Sequence, residues 1–123
     1  MADHKGRNLL HRARFAWAGL GHALRFERSF RTECLAAAIA TGVTVAMRPG
    51  WLWAGLIAVS IALVLALELV NTALEHALDG LSPAPSNFVA VAKDCAAAAV
   101  LVASTLSVIL FGFMLLDNLP ARG

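Results

Sequence analysis

Charge is scarce in this 123-residue chain: Asp, Glu, Lys and Arg make up only 15% of it, against 59% hydrophobic residues. A water-soluble domain needs more polar surface than that to cover its core. The scarcity therefore excludes an ordinary soluble fold and makes a bilayer the natural solvent, in line with a mean hydropathy of +0.72. Cysteine is nearly absent too. Cys34 and Cys95 stand among small apolar residues without metal-ligand spacing, so no disulfide is expected and each reads as a buried small hydrophobe. The N-terminal stretch lacks the apolar core and small-residue cleavage site of a signal peptide, because charges recur through Arg14, so the apolar segments are expected to stay as anchors. Neither GxxxxGK(S/T) nor GxGxxG occurs, which excludes the soluble nucleotide-binding folds built on those loops.

What is present is an apolar text with a basic start, expected to form one membrane domain over 1–123. Of the ten Lys and Arg residues, Lys5, Arg7, Arg12, Arg14, Arg25, Arg28 and Arg31 precede the first long apolar stretch. Cytoplasmic segments of membrane proteins carry such an excess, so the N-terminus is expected inside. No soluble module remains to carry a nucleic-acid groove, and anionic lipid is the expected partner of these charges.

Over residues 6–25, Leu9, Leu10, Ala13, Ala16, Trp17, Leu20 and Leu24 fall within an arc of about 120° at 100° per residue. Arg7, His11, Arg14, His22 and Arg25 lie opposite, the pattern of an amphipathic helix on the membrane surface. Three apolar helices follow, at about 29–48, 51–79 and 89–116, each near or above the roughly 20 residues a bilayer requires. Arg48-Pro49-Gly50 separates the first two, and Gly80 with Ser82-Pro83-Ala84-Pro85-Ser86-Asn87 separates the last two. Trp51 and Trp53 are placed as interfacial anchors on the far side, and the run Ala96 to Ala99 as a smooth face for helix contact. The fold class is thus all-α integral membrane, one surface helix plus three spans.

The second span carries the most informative residues. Asn71, Glu75 and Asp79 follow Glu68 by three, seven and eleven positions, which sets all four on one stripe about 80° wide. Glu68 lies 17 residues after Trp51, roughly 25 Å along the axis, and so near the inner edge of the hydrocarbon. Carboxylates there cost several kcal/mol unless paired, neutralised or metal-bound, which makes the stripe a functional candidate. The bland alternative is that they pair with Arg28, Arg31 and Lys93 to hold helices together. Glu27, Arg31 and Glu33 before the first span, and Lys93 with Asp94 at the start of the third, occupy the same inner level. Carboxylates from separate elements, with an amide and a lysine, suit a Mg²⁺ ion carrying a nucleotide's phosphates.

Glu68-Leu-Val-Asn-Thr-Ala-Leu-Glu75, followed by Ala92-Lys93-Asp94, resembles the signature of the prokaryotic diacylglycerol kinase family, which includes the undecaprenol kinases. The resemblance extends over nearly the whole chain, through Trp17-Ala-Gly-Leu20 and Phe26-Glu27-Arg28-Ser29-Phe30-Arg31-Thr32-Glu33. It implies a homotrimer in the bacterial inner membrane that moves the γ-phosphate of MgATP to a lipid hydroxyl, at sites shared between subunits near the cytoplasmic face. By position Glu68 is implied as the base, and Glu27 and Glu75 as holders of the metal ions on ATP. Asn71 is implied to support that wall, and Lys93 and Asp94 to contact the nucleotide. Trp17, Ser29, Phe30, Arg31 and Glu33 are implied to border the lipid. The chain departs from the family pattern at Ala84-Pro85-Ser86, where an acidic, aromatic and His run is common, and at Phe15, where a Tyr is usual. Diacylglycerol is the expected substrate, because the high Ala and Arg content hints at a GC-rich bacterial source, with undecaprenol as the alternative within the family. Proton-coupled transport is the alternative from another class, although such proteins place their acid near the midplane and these acids cluster at one interface.

Overall fold

The computed structural model describes residues 8–120. Lys5 and Arg7 of the basic start, and with them the first two residues of the expected 6–25 surface helix, fall beyond those bounds. Among the described residues the chain is helical without strands: α1 (Leu9–Phe26), α2 (Arg28–Met47), α3 (Trp51–Leu81) and α4 (Asn87–Asn118). The last three, of 20, 31 and 32 residues, are long and apolar enough to cross a membrane.

The breaks between helices have local causes. Glu27 alone is extended between α1 and α2, with φ −99° and ψ 111°. Its N–H still donates to the Ala23 carbonyl at 2.9 Å, and its own carbonyl accepts from the Arg31 N–H at 3.2 Å. One residue therefore redirects the chain with both backbone groups satisfied, and its side chain projects from the corner. After Met47, Arg48 takes the left-handed conformation and closes α2 by donating its N–H to the Thr44 carbonyl at 3.2 Å. Gly50, at φ +91°, supplies the second positive φ that the reversal requires and that a side chain would resist. Ser86 caps α4 by accepting from the Val89 N–H at 3.3 Å. That cap starts α4 two residues before the expected position, and α3 runs two residues past Asp79 to Leu81.

α3 is the central element. It packs most extensively on α4, next on α2, and slightly on α1. Its buried residues, Ile57, Ser60, Val64, Glu68, Asn71 and Thr72, recur at spacings of three or four with Thr72 adjacent, so they form one face. Ser60 donates to the Ile57 carbonyl at 2.9 Å and meets Ser107 of α4 at 3.1 Å, a polar link between the two long helices. At the opposite end from Glu68, the Trp53 indole N–H donates to Asp117 at 2.7 Å and joins the start of α3 to the end of α4.

The chain buries little. It exposes 9397 Å², whereas a compact soluble monomer of 13.0 kDa exposes roughly 6,300 Å². The excess is largely apolar, with Leu35, Ile39, Leu52, Val59, Leu101 and Val108 among the uncovered side chains. Three expectations change accordingly. Cys95 is exposed and Cys34 only half-buried, both as free thiols, because each lies off the faces that pack. Within Ala96 to Ala99 only Ala96 is even half-buried, and α4 instead buries Ala103 and Met114. Phe30, expected at the lipid, is 2% exposed and enclosed within the chain.

Candidate functional site

The packed face of α3 begins apolar at Ile57 and ends polar at Glu68 and Asn71. Glu68 is 4% exposed and Asn71 9%. Their burial follows from helical phase, since both share the azimuth of Val64 and Ser60 and are carried into the bundle with them. The stripe continues past the packed region, so Glu75 is half-buried and Asp79 exposed.

A buried carboxylate requires a donor. Glu68 Oε1 accepts a hydrogen bond from the Ser29 hydroxyl, which stands in the first turn of α2, 39 residues earlier in the chain. The Glu27 corner sets the start of α2, and so positions this donor. Asn71 donates through Nδ2 to Glu75 Oε1 at 3.4 Å, one turn on, which is a long contact. Its own Oδ1 is buried with no hydrogen-bond partner among the described residues. An orphaned acceptor of this kind, between two carboxylates on one helix face, is free to receive a donor from outside the chain.

The expected residues divide into groups. Ser29, Glu68, Asn71 and Glu75 lie together along α3 and the start of α2. Glu27 meets His76, the residue after Glu75. Its Oε1 lies 3.0 Å from His76 Nε2, and ligand atoms of His22, Glu27 and His76 all fall within 4.8 Å of one another. Arg31 turns back to donate to the carbonyls of Arg25 at 2.9 Å and Leu24 at 3.5 Å, so it satisfies the end of α1. Lys93 pairs with Asp79 across the α3–α4 connection, both side chains being at least partly exposed. Asp94 is exposed at the head of α4, and Trp17 is 73% exposed on α1.

Glu33 lines an apolar cleft of about 340 Å³ between α2, α3 and α4, together with Ile39, Val64, Ser104, Val108 and Phe111. The cleft adjoins the buried acid, because Glu33 follows Ser29 by four residues on α2 and Val64 precedes Glu68 by four on α3. One helical turn, roughly 6 Å, separates the two regions along each helix.

His76 was not among the residues singled out from sequence, and His22 was placed only on the polar face of the amphipathic helix. His76 sits 80° from Glu68 around α3, outside the acidic and amide stripe, and only the fold brings α1 alongside. Within the sequence the one available signal was an imidazole directly following Glu75.

A comparison with protein families matches residues 14–115 to prokaryotic diacylglycerol kinase. A diacylglycerol kinase of Synechocystis sp. is 40% identical over 118 residues, covering 91% of this chain and 65% of that protein. This chain thus spans just under two thirds of the Synechocystis protein's length. A diacylglycerol kinase of Haemophilus influenzae is 31% identical over 108 residues, covering 88% of this chain and 92% of that one. With a family match across most of its length, and with the buried Glu68 and Asn71 on the packed face of a long apolar helix, the chain belongs to the prokaryotic diacylglycerol kinase family.

Proposed function

We propose that this chain is an ATP-dependent lipid kinase, converting diacylglycerol to phosphatidic acid by direct transfer of the γ-phosphate of MgATP, with Glu68 as general base. The observation that carries the reading is the Glu68 carboxylate itself: buried on α3, tied to the Ser29 hydroxyl, and one turn from an apolar cleft. Both relatives are named diacylglycerol kinases, which favours that lipid over undecaprenol.

The residues divide the work. Ser29 engages Oε1 of Glu68, which leaves Oε2 to accept the proton of a lipid hydroxyl as its oxygen attacks the γ-phosphorus and ADP departs. The adjoining cleft is of a size and lining suited to part of an acyl chain, and Glu33 on its wall with Trp17 on the exposed face of α1 would border that lipid. The donor set fits Mg²⁺. Glu27 and Glu75 offer hard oxygens, and the unpartnered Asn71 Oδ1 can accept from a metal-bound water or take the ion directly. When bound, Mg²⁺ would neutralise charge on the phosphates during transfer. Lys93 and Asp94 would contact the nucleotide. Lys93 is held now by a partly exposed pair with Asp79, and exchange for a phosphate costs little because such pairs are worth at most about 1 kcal/mol.

The same proposal places the protein in the bacterial inner membrane with the N-terminus cytoplasmic, α1 on the surface, and three copies assembled so that sites are shared. The uncovered apolar area supports a lipid surround and contact between copies. Purified protein with radiolabelled ATP, Mg²⁺ and each lipid in turn provides the test. Label in phosphatidic acid is expected. Label on undecaprenol alone would overturn the choice of substrate, and label on neither would overturn the kinase reading.

A further inference from the structure

We propose that His22, Glu27 and His76 form a binding site for a borderline divalent transition ion, Zn²⁺ being the probe of choice, and that its occupancy draws Glu27 away from the magnesium of the nucleotide. The three residues come from three elements: α1, the corner before α2, and α3. Glu27 Oε1 stands 3.0 Å from His76 Nε2, the His22 and His76 rings meet edge to face with centroids 5.5 Å apart, and one ligand atom from each residue lies within 4.8 Å of the others.

That spacing is close to what a tetrahedral ion demands. With bonds of about 2.0–2.1 Å, ligand atoms around Zn²⁺ stand roughly 3.4 Å apart, so closing the site takes shifts of about 1 Å that side-chain rotation can supply. Two imidazoles and a carboxylate also leave a fourth position open to water. The donor chemistry separates this site from the one proposed for Mg²⁺. Imidazole ligands favour Zn²⁺, Cu²⁺ and Ni²⁺ over Mg²⁺, which takes oxygen donors. The ligands are reachable, with the His76 side chain 59% exposed and that of Glu27 24% exposed. The site also has a mechanical consequence, because an ion bridging His22 to His76 clamps the end of α1 against α3.

The binding claim stands apart from the kinase reading, and only the competition for Glu27 rests on it. Two measurements on the full chain in detergent keep them distinct. In the first, Zn²⁺ affinity is measured by competition with a chromogenic chelator, and Co²⁺ is added to read its visible absorption. Wild type is expected to take one Zn²⁺ per chain and to give an intense tetrahedral Co²⁺ band. His22→Asn/His76→Asn is expected to bind at least about 100-fold more weakly, since even indirect supports of a metal site cost 10- to 100-fold. Equal affinity in the two proteins, or an octahedral Co²⁺ spectrum in wild type, would overturn the site. In the second, lipid phosphorylation at fixed Mg²⁺ is titrated with Zn²⁺. Inhibition of wild type that is shifted at least tenfold higher in the double variant is expected, with similar rates in the absence of Zn²⁺. Identical inhibition curves would overturn the competition while leaving the binding result to stand on its own.

Discussion

Replacing Ser29 by Ala removes the one donor to the Glu68 carboxylate among the described residues, and the size of the effect can be bounded. Hydrogen bonds to charged groups contribute about 1.5–3 kcal/mol in water-soluble proteins. Interhelical side-chain bonds in membranes are weaker, averaging about 0.6 and reaching about 1.7 kcal/mol, because partners are also found in the unfolded state. Glu68 is 4% exposed and has little access to a replacement donor, so the coupling should sit in the upper half of that range, near 1 kcal/mol. A double-mutant cycle isolates it: wild type, Ser29→Ala, Glu68→Ala and the double variant, unfolded in mixed detergent and followed by circular dichroism. The cavity left by Glu68→Ala appears on both sides of the cycle and cancels. A coupling energy below about 0.3 kcal/mol, the ordinary limit of additivity, would refute the claim that α2 holds the base in place.

Two further outcomes follow from the same geometry. Glu75→Gln should weaken dependence on Mg²⁺ and nucleotide, raising the Mg²⁺ concentration for half-maximal rate by about tenfold with the fold intact; an unchanged Mg²⁺ titration contradicts its role. Asp79→Asn should change unfolding free energy by less than about 0.5 kcal/mol, because its pair with Lys93 is partly exposed; a loss above about 1.5 kcal/mol would mean that the pair is structural.

Much of the architecture was legible before the fold. Long apolar runs demanded long helices, and Pro49 with Gly50 and the Ser82–Asn87 segment demanded breaks, so the limits of α2, α3 and α4 lie within two residues of those expected, whereas α1 begins at Leu9, three residues after the expected start. The early start of α4 comes from Ser86, whose cap depends on a side-chain hydrogen bond that hydropathy does not register. Helical phase also put Glu68 and Asn71 on one stripe. It did not reveal that this stripe is the buried one, which depends on α4 and α2 packing against it. Contacts between residues 39 and 49 positions apart, Ser29 with Glu68 and Glu27 with His76, lay beyond any periodicity argument. Glu27 illustrates the point. The family resemblance set it with Glu75 around the metal ions, and the corner at residue 27 brings its Oε1 to His76, the next position on α3 and 100° around the helix. The enclosure of Phe30 was likewise beyond the sequence, because only packing decides which face of α2 is covered.

The most direct test of the central claim is the turnover of Glu68→Gln, which keeps the shape of the side chain and removes its capacity as a base. With helix content and oligomer size unchanged, the account predicts a fall in kcat of about 10²- to 10⁴-fold, the range that a general base contributes, with KM for ATP little altered. Phosphorylation of diacylglycerol at the wild-type rate by that variant would contradict it.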